Sequence, residues 1–354
     1  MTPREVLLLS RLVFRGLLFG ARAGCLWCSA RRVRELTREH TSAPWNARLA
    51  AAAAPQVRHQ PQYRVFSVPN VQYYHGADAH PKKNLLDLYL PQGVRNFPVL
   101  LFVHGGGWMS GDKCYVLGTY GNVGRSFARR GIGVAVANYR LSPRFKHPTH
   151  VRDVAAAWAW LVLNIERYGG STDAMFIGGQ SAGAHLASFL VTDPSYLASF
   201  CVSPRTIRGV IAISGVFDLY ASLTGLPAGG HRQLLVPTFG DNRSTWGMAS
   251  PLRRLRSGLP PFLVMTGERN PLGLRDQSAR FALALREHGV PAEFVIVSAL
   301  GHFGEIREIG RKNSILALEI TQFMHGVLAS GQRAAEPPRA RSQPRLLWER
   351  VRSN

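Results

Sequence analysis

The sequence predicts an α/β fold with a mostly parallel eight-stranded sheet and helices on both faces. Between residues 61 and 328, short apolar runs alternate with longer stretches of helical pattern, which is typical of such a fold. The later apolar runs are continuous, as expected for strands that are covered on both faces. The chain has 354 residues, of which 46% are hydrophobic and four are Cys, so it is long enough for a large core. This composition excludes collagen-like, disulfide-stapled and wholly disordered proteins.

The predicted elements follow one another in alternation. The strands are Arg64–Val68, Leu85–Leu90, Val99–Val103, Gly133–Asn138, Met175–Gly178, Arg208–Ser214, Phe262–Thr266 and Glu293–Ser298, and the helices are Val151–Tyr168, Ala182–Thr192, Arg275–His288 and Lys312–Ala329. The first two strands alternate in polarity, so we expect them to be antiparallel edge strands. The long insertion Leu219–Leu259 is expected to be a lid or binding loop, or else an irregular surface excursion.

The first 40 residues are predicted to form a cationic amphipathic leader. At helical spacing Arg4, Arg11, Arg15 and Arg22 fall on one line, and apolar residues occupy the other faces. The arginines interrupt the apolar run too often for a simple transmembrane span. The pattern is typical of an organellar transit peptide or of a helix lying on an anionic membrane. We therefore expect mitochondrial targeting or membrane-surface contact through residues 1–30, with a cytoplasmic protein carrying a functionless extension as the alternative.

The remaining chain divides into three predicted regions. Residues 41–60 have the composition of a linker, residues 61–330 form one domain, and residues 331–354 form a basic tail that is expected to be disordered. The chain carries 43 Lys and Arg against 21 Asp and Glu, but half of this excess lies near the two ends. Because no nucleic-acid-binding motif accompanies the charge, no nucleic-acid partner is predicted.

The strongest chemical motif is Gly179-Gln180-Ser181-Ala182-Gly183, which lies between a predicted strand and a predicted helix. A G-x-S-x-G sequence in this context is a nucleophile elbow. Its glycines lack a Cβ atom, so the turn can be sharp enough to present the serine above the sheet. Ser181 is therefore the predicted nucleophile.

A second motif, His104-Gly105-Gly106-Gly107-Trp108, directly follows another apolar strand. Consecutive glycines let backbone N–H groups approach a developing oxyanion without interference from side chains. We predict that Gly105 and Gly106, together with Ala182, form the oxyanion hole, and that Gly107 and Trp108 line the substrate site. The alternative is a glycine-rich strand end that merely turns.

The third motif, Gly301-His302-Phe303, follows the last predicted strand. This placement fits the chain order of serine, acid and histidine that is typical of the predicted fold. His302 is therefore the predicted general base, which would accept the Ser181 proton and return it to the leaving group.

Together these motifs carry a family resemblance over about residues 64–328. The stretches HGGGWMSGDK (104–113), GQSAGAHLA (179–187), GVFDL (215–219) and GHF (301–303) resemble the kynurenine formamidase branch of the esterase/lipase α/β-hydrolases. Tyr168–Gly170 and Gln180–His185 are similar to the related isoprenylcysteine methylesterases. The resemblance implies an α/β-hydrolase fold and the hydrolysis of a carboxylic ester or a formamide.

The chain departs from this family at the acid of the triad. The family has an Asp in a G-x-x-D stretch after the seventh strand, whereas this chain reads Gly267-Glu268-Arg269-Asn270. Asn270 can accept a hydrogen bond from His302, but it has no charge and can equally favour the wrong tautomer. In serine proteases that replacement lowers kcat about 10⁴-fold. Glu268 or Asp218 can replace the missing acid, or else the triad is degraded.

The sequence thus predicts a serine carboxylesterase that acts through an acyl-enzyme on a small or medium acyl ester. Its predicted partner is a small-molecule ester or formamide, and the chemistry requires neither a metal nor an organic cofactor. One alternative is an arylformamidase that hydrolyses an amide. The other is a catalytically weak relative that binds a ligand, because the acid position is Asn270.

Overall fold

The computed structural model describes residues 62–220, 233–270 and 272–335. Its eight strands form a single sheet in the order β1-β2-β4-β3-β5-β6-β7-β8. The strands are β1 Val65–Gln72, β2 Leu85–Pro91, β3 Phe97–Val103, β4 Gly133–Ala137, β5 Gly170–Gln180, β6 Gly209–Ile213, β7 Phe262–Gly267 and β8 Ala292–Val297. β1 pairs with β2 and β2 pairs with β4 in antiparallel register, and every other neighbouring pair is parallel. The predicted mostly parallel sheet and its antiparallel first strands are therefore confirmed, but only β1 lies at the edge, because β2 pairs with both β1 and β4.

Helices cover both faces of the sheet. They are α1 Tyr115–Ala128, α2 Thr149–Asn164, α3 Ala182–Thr192, α4 Ser195–Ala198, α5 Val236–Phe239, α6 Arg243–Met248, α7 Leu272–Glu287, α8 Gly304–Ile309 and α9 Ile315–Ala335. Buried residues of α2, α3 and α7 form one core with the sheet, and buried residues of α1, α8 and α9 form the other. Each face of the central strands is thus buried, which explains their continuous apolar runs.

Two helices, α1 and α8, are not predicted by the sequence pattern. α1 contains Gly118, Gly121 and Gly124, and glycine has low helix propensity. A Cβ atom at Gly124 would lie 2.2 Å from the Tyr89 ring, and one at Gly121 would lie 2.7 Å from the Tyr89 hydroxyl. The glycines therefore let α1 approach β2 closely, so tertiary packing outweighs local propensity.

The long insertion contributes to the core as well as covering it. In its described part, Leu235, Phe239 and Trp246 are at most 5% exposed and belong to the same core as α2 and α3. This part is therefore packed structure and not an irregular surface excursion. Residues 221–232 lie outside the described residues.

The predicted leader, the linker and most of the basic tail also lie outside the described residues. α9 continues to Ala335, five residues beyond the predicted end of the domain at residue 330. Among the described helices, none combines the length and the hydropathy that a membrane span requires.

The sheet brings the predicted chemical motifs together at one edge. The glycine-rich loop follows β3, the elbow follows the neighbouring β5, and the loops bearing Asn270 and His302 follow β7 and β8. Of the two strands that follow β3 in the chain, β4 lies on one side of β3 in the sheet and β5 lies on the other, so the strand order reverses direction at β3. Ligands bind such sheets at the carboxyl ends of strands beside this change of direction.

Candidate active site

Ser181 lies at the turn between β5 and α3 with a φ of 57° and a ψ of −120°, a conformation that side-chain-bearing residues rarely adopt. Its N–H donates to the Ile213 carbonyl at 2.8 Å, which ties the elbow to β6. A Cβ atom at Gly179 would lie 2.5 Å from the Gly183 carbonyl carbon, and one at Gly183 would lie 2.1 Å from the Val103 carbonyl oxygen. Only glycine fits these two positions, and the resulting turn leaves Ser181 partly exposed.

The oxyanion loop, residues 104–111, approaches this elbow but differs from the prediction at Gly105. The Gly105 N–H donates a 2.8 Å hydrogen bond to the Tyr120 hydroxyl, so it is not directed at a substrate. The N–H groups of Gly106, Gly107 and Ala182 form no hydrogen bond with other described residues. The structure thus contradicts the prediction that Gly105 is an oxyanion donor, and Gly106 and Ala182 stay candidates together with Gly107.

Trp108 is 1% exposed, which leaves no surface for the predicted contact with substrate. Its indole packs edge-on against Phe239 of the insertion, with ring centroids 5.0 Å apart, and against His185 of α3 at 5.1 Å. The structure therefore assigns Trp108 to packing behind the loop. Gly107, by contrast, stays at the surface of the loop close to Leu234, whose Cδ1 lies 2.9 Å from a Cβ built at this glycine.

His302 lies on the loop between β8 and α8, and its ring is held by Gln180 of the elbow. The Gln180 Nε2 group donates to the His302 carbonyl at 3.0 Å and lies 3.2 Å from the ring Nε2 atom. Because an amide NH₂ group is only a donor, this ring nitrogen accepts and the proton is on Nδ1. Burial lowers the pKa of His302 to about 4, so the ring is neutral near pH 7.

Neither of the two proposed replacement acids forms a hydrogen bond with His302 among the described contacts. The exposed Glu268 carboxylate accepts the Ala299 N–H at 2.9 Å. The Asp218 carboxylate accepts the Tyr220 N–H at 3.0 Å and lies 3.7 Å from the Arg253 guanidinium. Both carboxylates are thus bonded in the turns that hold them, and the structure corrects the prediction that either completes the triad.

Asn270 occupies the usual acid position and is 5% exposed. Its Nδ2 group donates to the Thr266 hydroxyl at 3.2 Å, to Glu305 Oε1 at 3.0 Å and to the Ser214 hydroxyl. Its Oδ1 atom is buried and has no hydrogen-bond partner among the described residues, and the same holds for His302 Nδ1. The Asn270 amide therefore directs its NH₂ group toward Thr266, Glu305 and Ser214, and its oxygen is left without a donor among the described residues.

Glu305 is a buried acid beside Asn270 that the sequence motifs did not single out. It lies in the first turn of α8, is 1% exposed, and accepts hydrogen bonds from Ser214 at 2.6 Å and from Asn270. Burial raises the pKa of Glu305 to about 7. The sequence does place an acid three residues after His302, but because α8 was not predicted, nothing indicated that this acid is buried.

These groups together suit nucleophilic acyl transfer. They supply a serine on a strained turn, a neutral histidine with its proton on Nδ1, and backbone donors at the N-terminus of α3. Within residues 62–220, 233–270 and 272–335, no group of three His, Cys, Asp or Glu side chains is arranged to hold a metal ion.

The comparisons with known sequences agree with this chemistry. A family model described as BD-FAE matches residues 86–285, which include the oxyanion loop, Ser181 and Asn270. Esterase LipQ of Mycobacterium tuberculosis is 34% identical over 59% of this chain and 51% of its own length. Isoprenylcysteine alpha-carbonyl methylesterase ICME of Arabidopsis thaliana is 28% identical over 76% of this chain and 66% of its own length. The chain thus spans between about half and two thirds of these relatives.

Solved structures share the fold. Esterase B of Lactobacillus Rhamnosis superposes with a TM-score of 0.67 at 22% identity, covering 87% of this chain and 97% of that one. The Pyrobaculum calidifontis esterase superposes with a TM-score of 0.58 at 20% identity, covering 94% and 99%. At this identity the likeness establishes the α/β-hydrolase fold.

Proposed function

The chain belongs to the BD-FAE family, and from this membership and the site geometry we propose that it is a serine hydrolase of small-molecule carboxylic esters. The observation that carries the proposal is the strained conformation of Ser181 at the N-terminus of α3. Backbone strain of this kind persists only where the surroundings enforce it, and here two glycines without room for a Cβ do so. The esterase names of the sequence relatives support the same reaction class.

In the proposed reaction, Ser181 Oγ attacks the ester carbonyl carbon while His302 Nε2 accepts the hydroxyl proton. The tetrahedral oxyanion receives hydrogen bonds from the N–H groups of Gly106, Gly107 and Ala182. As the carbon–oxygen bond breaks, His302 returns the proton to the departing alcohol and an acyl-enzyme remains. A water molecule, deprotonated by the same nitrogen, then releases the carboxylic acid and restores Ser181.

For this reaction to begin, His302 Nε2 has to accept a hydrogen bond from Ser181 Oγ at the position where Gln180 now donates. The Gln180 Nε2 group lies 3.2 Å from the His302 nitrogen that must accept the serine proton. The Ser181 hydroxyl has no hydrogen bond to His302 among the described contacts. Catalytic hydrogen bonds often form only in the Michaelis complex, so we expect substrate binding to draw Ser181 Oγ toward this nitrogen.

The proposal specifies the class of bond that is hydrolysed and not the individual acyl and alcohol groups of the substrate. The resemblance to kynurenine formamidases favours a formamide as the second candidate, whereas the named relatives are esterases. Both reactions use the same nucleophile and oxyanion donors, but an amide leaving group requires the proton from His302 more strongly than an alcohol does. Comparing an aryl formate ester with the matching aryl formamide tests this difference directly.

The test uses the purified full chain and a fluorophosphonate probe, which reacts with an activated serine without requiring the substrate to be known. We expect labelling of wild type and none of Ser181→Ala. Ser188→Ala is the matched control, because this buried serine lies on the same helix α3. Failure of the folded wild-type protein to label or to hydrolyse p-nitrophenyl acetate would overturn the proposal and favour a ligand-binding relative.

We also propose that residues 1–30 direct the protein to mitochondria or to an anionic membrane surface. The support is the line of arginines along one face of an otherwise apolar helical pattern. Cell fractionation of the full chain and of a chain lacking residues 1–40 tests this proposal. An unchanged distribution would show that the segment is not a targeting or membrane-contact signal.

A further inference from the structure

We propose that Glu305 is a positioning residue that lets Asn270 serve in place of the usual triad acid. It holds the Asn270 NH₂ group, so that the amide oxygen accepts the Nδ1 proton of His302 and selects the tautomer that the reaction requires. This inference rests on the proposed serine hydrolase function and adds one residue to its mechanism.

The first step is the orientation of the Asn270 amide. Glu305 Oε1 accepts from Asn270 Nδ2 at 3.0 Å and from the Ser214 hydroxyl at 2.6 Å. An ionised carboxylate only accepts hydrogen bonds, so the amide must present its NH₂ group to it. Turning the amide over would place two oxygen atoms with lone pairs against each other in a buried site, which is unfavourable.

The second step is the tautomer of His302. Gln180 donates toward Nε2, so this nitrogen accepts and Nδ1 carries the proton. His302 Nδ1 is then a buried donor without an acceptor, while Asn270 Oδ1 is a buried acceptor without a donor among the described residues. Buried polar groups are rarely left unpaired, and these two complement each other.

The third step is the placement of the two loops. The Glu268 N–H donates to the Val297 carbonyl at 2.8 Å, and the Arg269 N–H donates to the Leu300 carbonyl at 2.9 Å. These bonds hold the turn before Asn270 beside the turn before His302. The proposal requires that the two unpaired atoms meet in the substrate complex, as catalytic hydrogen bonds often do.

The orientation of the Asn270 amide decides whether this residue supports or blocks proton transfer from Ser181 to His302. An asparagine that donates to Nδ1 places the ring proton on Nε2, where it blocks proton transfer from serine. An asparagine that accepts from Nδ1 leaves Nε2 free. A negative charge on Glu305 also stabilises, through the intervening amide, the imidazolium that forms during the reaction.

The pH dependence separates this role from a purely structural one. The carboxyl of Glu305 is contacted by the Ser214 hydroxyl on the chain after β6, the Gly267 backbone of β7 and the Asn270 amide on the loop after β7. No charged side chain among the described residues contributes to its shifted pKa of about 7. We therefore expect kcat/KM of wild type to fall as the pH decreases through about 7, because protonated Glu305 offers a donor as well as an acceptor and no longer restricts the amide to one orientation.

The variants Glu305→Gln and Asn270→Asp/Glu305→Gln test the proposal in the full chain. Glu305→Gln is expected to lower kcat at pH 8 by about 10- to 100-fold and to remove the limb near pH 7. The double variant places a carboxylate directly beside His302 without a second carboxylate, so kcat is expected to recover to within about 10-fold of wild type. Glu308→Gln, on the same helix α8 but paired with Arg311, is the matched control and should leave both quantities unchanged.

A nuclear magnetic resonance measurement reports the tautomer independently of turnover. In protein labelled with ¹⁵N-histidine, the His302 resonances are identified by their loss in His302→Ala. Wild type is expected to show the proton on Nδ1, and Glu305→Gln a mixture of tautomers.

The outcomes distinguish the two proposals. Wild-type labelling by the fluorophosphonate with full activity and an unchanged pH profile in folded Glu305→Gln would overturn the role of Glu305 alone. A double variant that stays as inactive as Glu305→Gln, with an unchanged His302 tautomer, would also overturn it. Absence of labelling in wild type would instead overturn the hydrolase function on which the inference rests.

Discussion

The indole Nε1 of Trp108 donates a 3.2 Å hydrogen bond to Nδ1 of His185, and thereby connects the oxyanion loop to the helix that follows the nucleophile. The other nitrogen of His185 lies 2.8 Å from the Ala249 carbonyl of the insertion. Accepting from the indole and donating to this carbonyl requires the neutral ring, and burial lowers the pKa of His185 to about 3. One neutral histidine thus joins the loop, the helix and the insertion behind the site.

Replacing Trp108 is expected to impair catalysis through the position of the oxyanion loop. Trp108→Phe leaves His185 Nδ1 without its donor, which costs about 1–3 kcal/mol of unfolding free energy. Because the loop then holds Gly106 and Gly107 less well, kcat should fall about 10-fold or more with a smaller change in KM. Trp158→Phe removes a comparable indole hydrogen bond, to Thr206, far from the loop. A similar loss of kcat in both variants would contradict the explanation.

Gly183→Ala is expected to disrupt the elbow itself. The new methyl group would lie 2.1 Å from the Val103 carbonyl oxygen, and backbone atoms on both sides must move to relieve this contact. We expect a loss of about 3 kcal/mol or more of unfolding free energy and no fluorophosphonate labelling. Gly326→Ala on the exposed face of α9 meets no atom within 4 Å and should be neutral or slightly stabilising. Urea unfolding of the two variants makes the comparison.

The buried ion pair between Arg140 and Asp153 is expected to be necessary for stability. The two side chains are 6% and 2% exposed, and their closest atoms are 2.7 Å apart. Arg140→Ala leaves a buried carboxylate without its partner, which should cost about 3–5 kcal/mol. Arg140 also contacts Asp78, but that side chain is 65% exposed, so Asp78→Ala should cost less than about 1 kcal/mol. If chemical denaturation gave equal losses of unfolding free energy for Arg140→Ala and Asp78→Ala, burial would not decide how much each ion pair contributes to stability.

The buried histidines predict that stability decreases in acid. Burial lowers the pKa of His104, His147 and His302 to about 4, and that of His150 and His185 to about 3. The unfolded chain therefore binds more protons than the folded protein below pH 6.5. The contribution of each histidine to stability is full above this pH and is lost as the pH falls through its folded pKa, by about 3 kcal/mol where that pKa is about 4 and by about 5 kcal/mol where it is about 3. Urea unfolding at pH 7.5 and pH 5 measures the difference, and equal midpoints would contradict it.

Glu305→Gln is expected to increase stability while it decreases activity. The pKa of Glu305 is raised from 4.5 to about 7, so the folded protein holds a proton there that the unfolded chain has released. Its contribution to unfolding free energy falls by about 3 kcal/mol as the pH rises from 4.5 through 7. The variant lacks this loss, so its free energy of unfolding should exceed that of wild type by more at pH 8 than at pH 5. Because both proteins contain the same histidines, the difference between them isolates Glu305.

Much of this protein could be predicted from its sequence. All eight strands, the antiparallel edge and the elbow at Ser181 follow from local patterns, because an apolar period and a glycine pair specify backbone geometry over a few residues. α1 could not be predicted, because its three glycines lower helix propensity and are explained only by the distant ring of Tyr89. The buried role of Trp108 was hidden for the same reason, since it depends on Phe239 and His185.

The sequence by itself determined the candidate nucleophile, the candidate base and the departure from the family pattern at Asn270, since the motifs and their order along the chain carry each of these. It could not determine how Asn270 is used. The exclusion of Glu268 and Asp218, the bond between Gly105 and Tyr120, and the approach of Glu305 to Asn270 were decided only by the tertiary structure. The physical reason is that a hydrogen bond depends on direction and on distances of about 3 Å, which the packing of loops from different strands sets and which spacing along the chain does not encode.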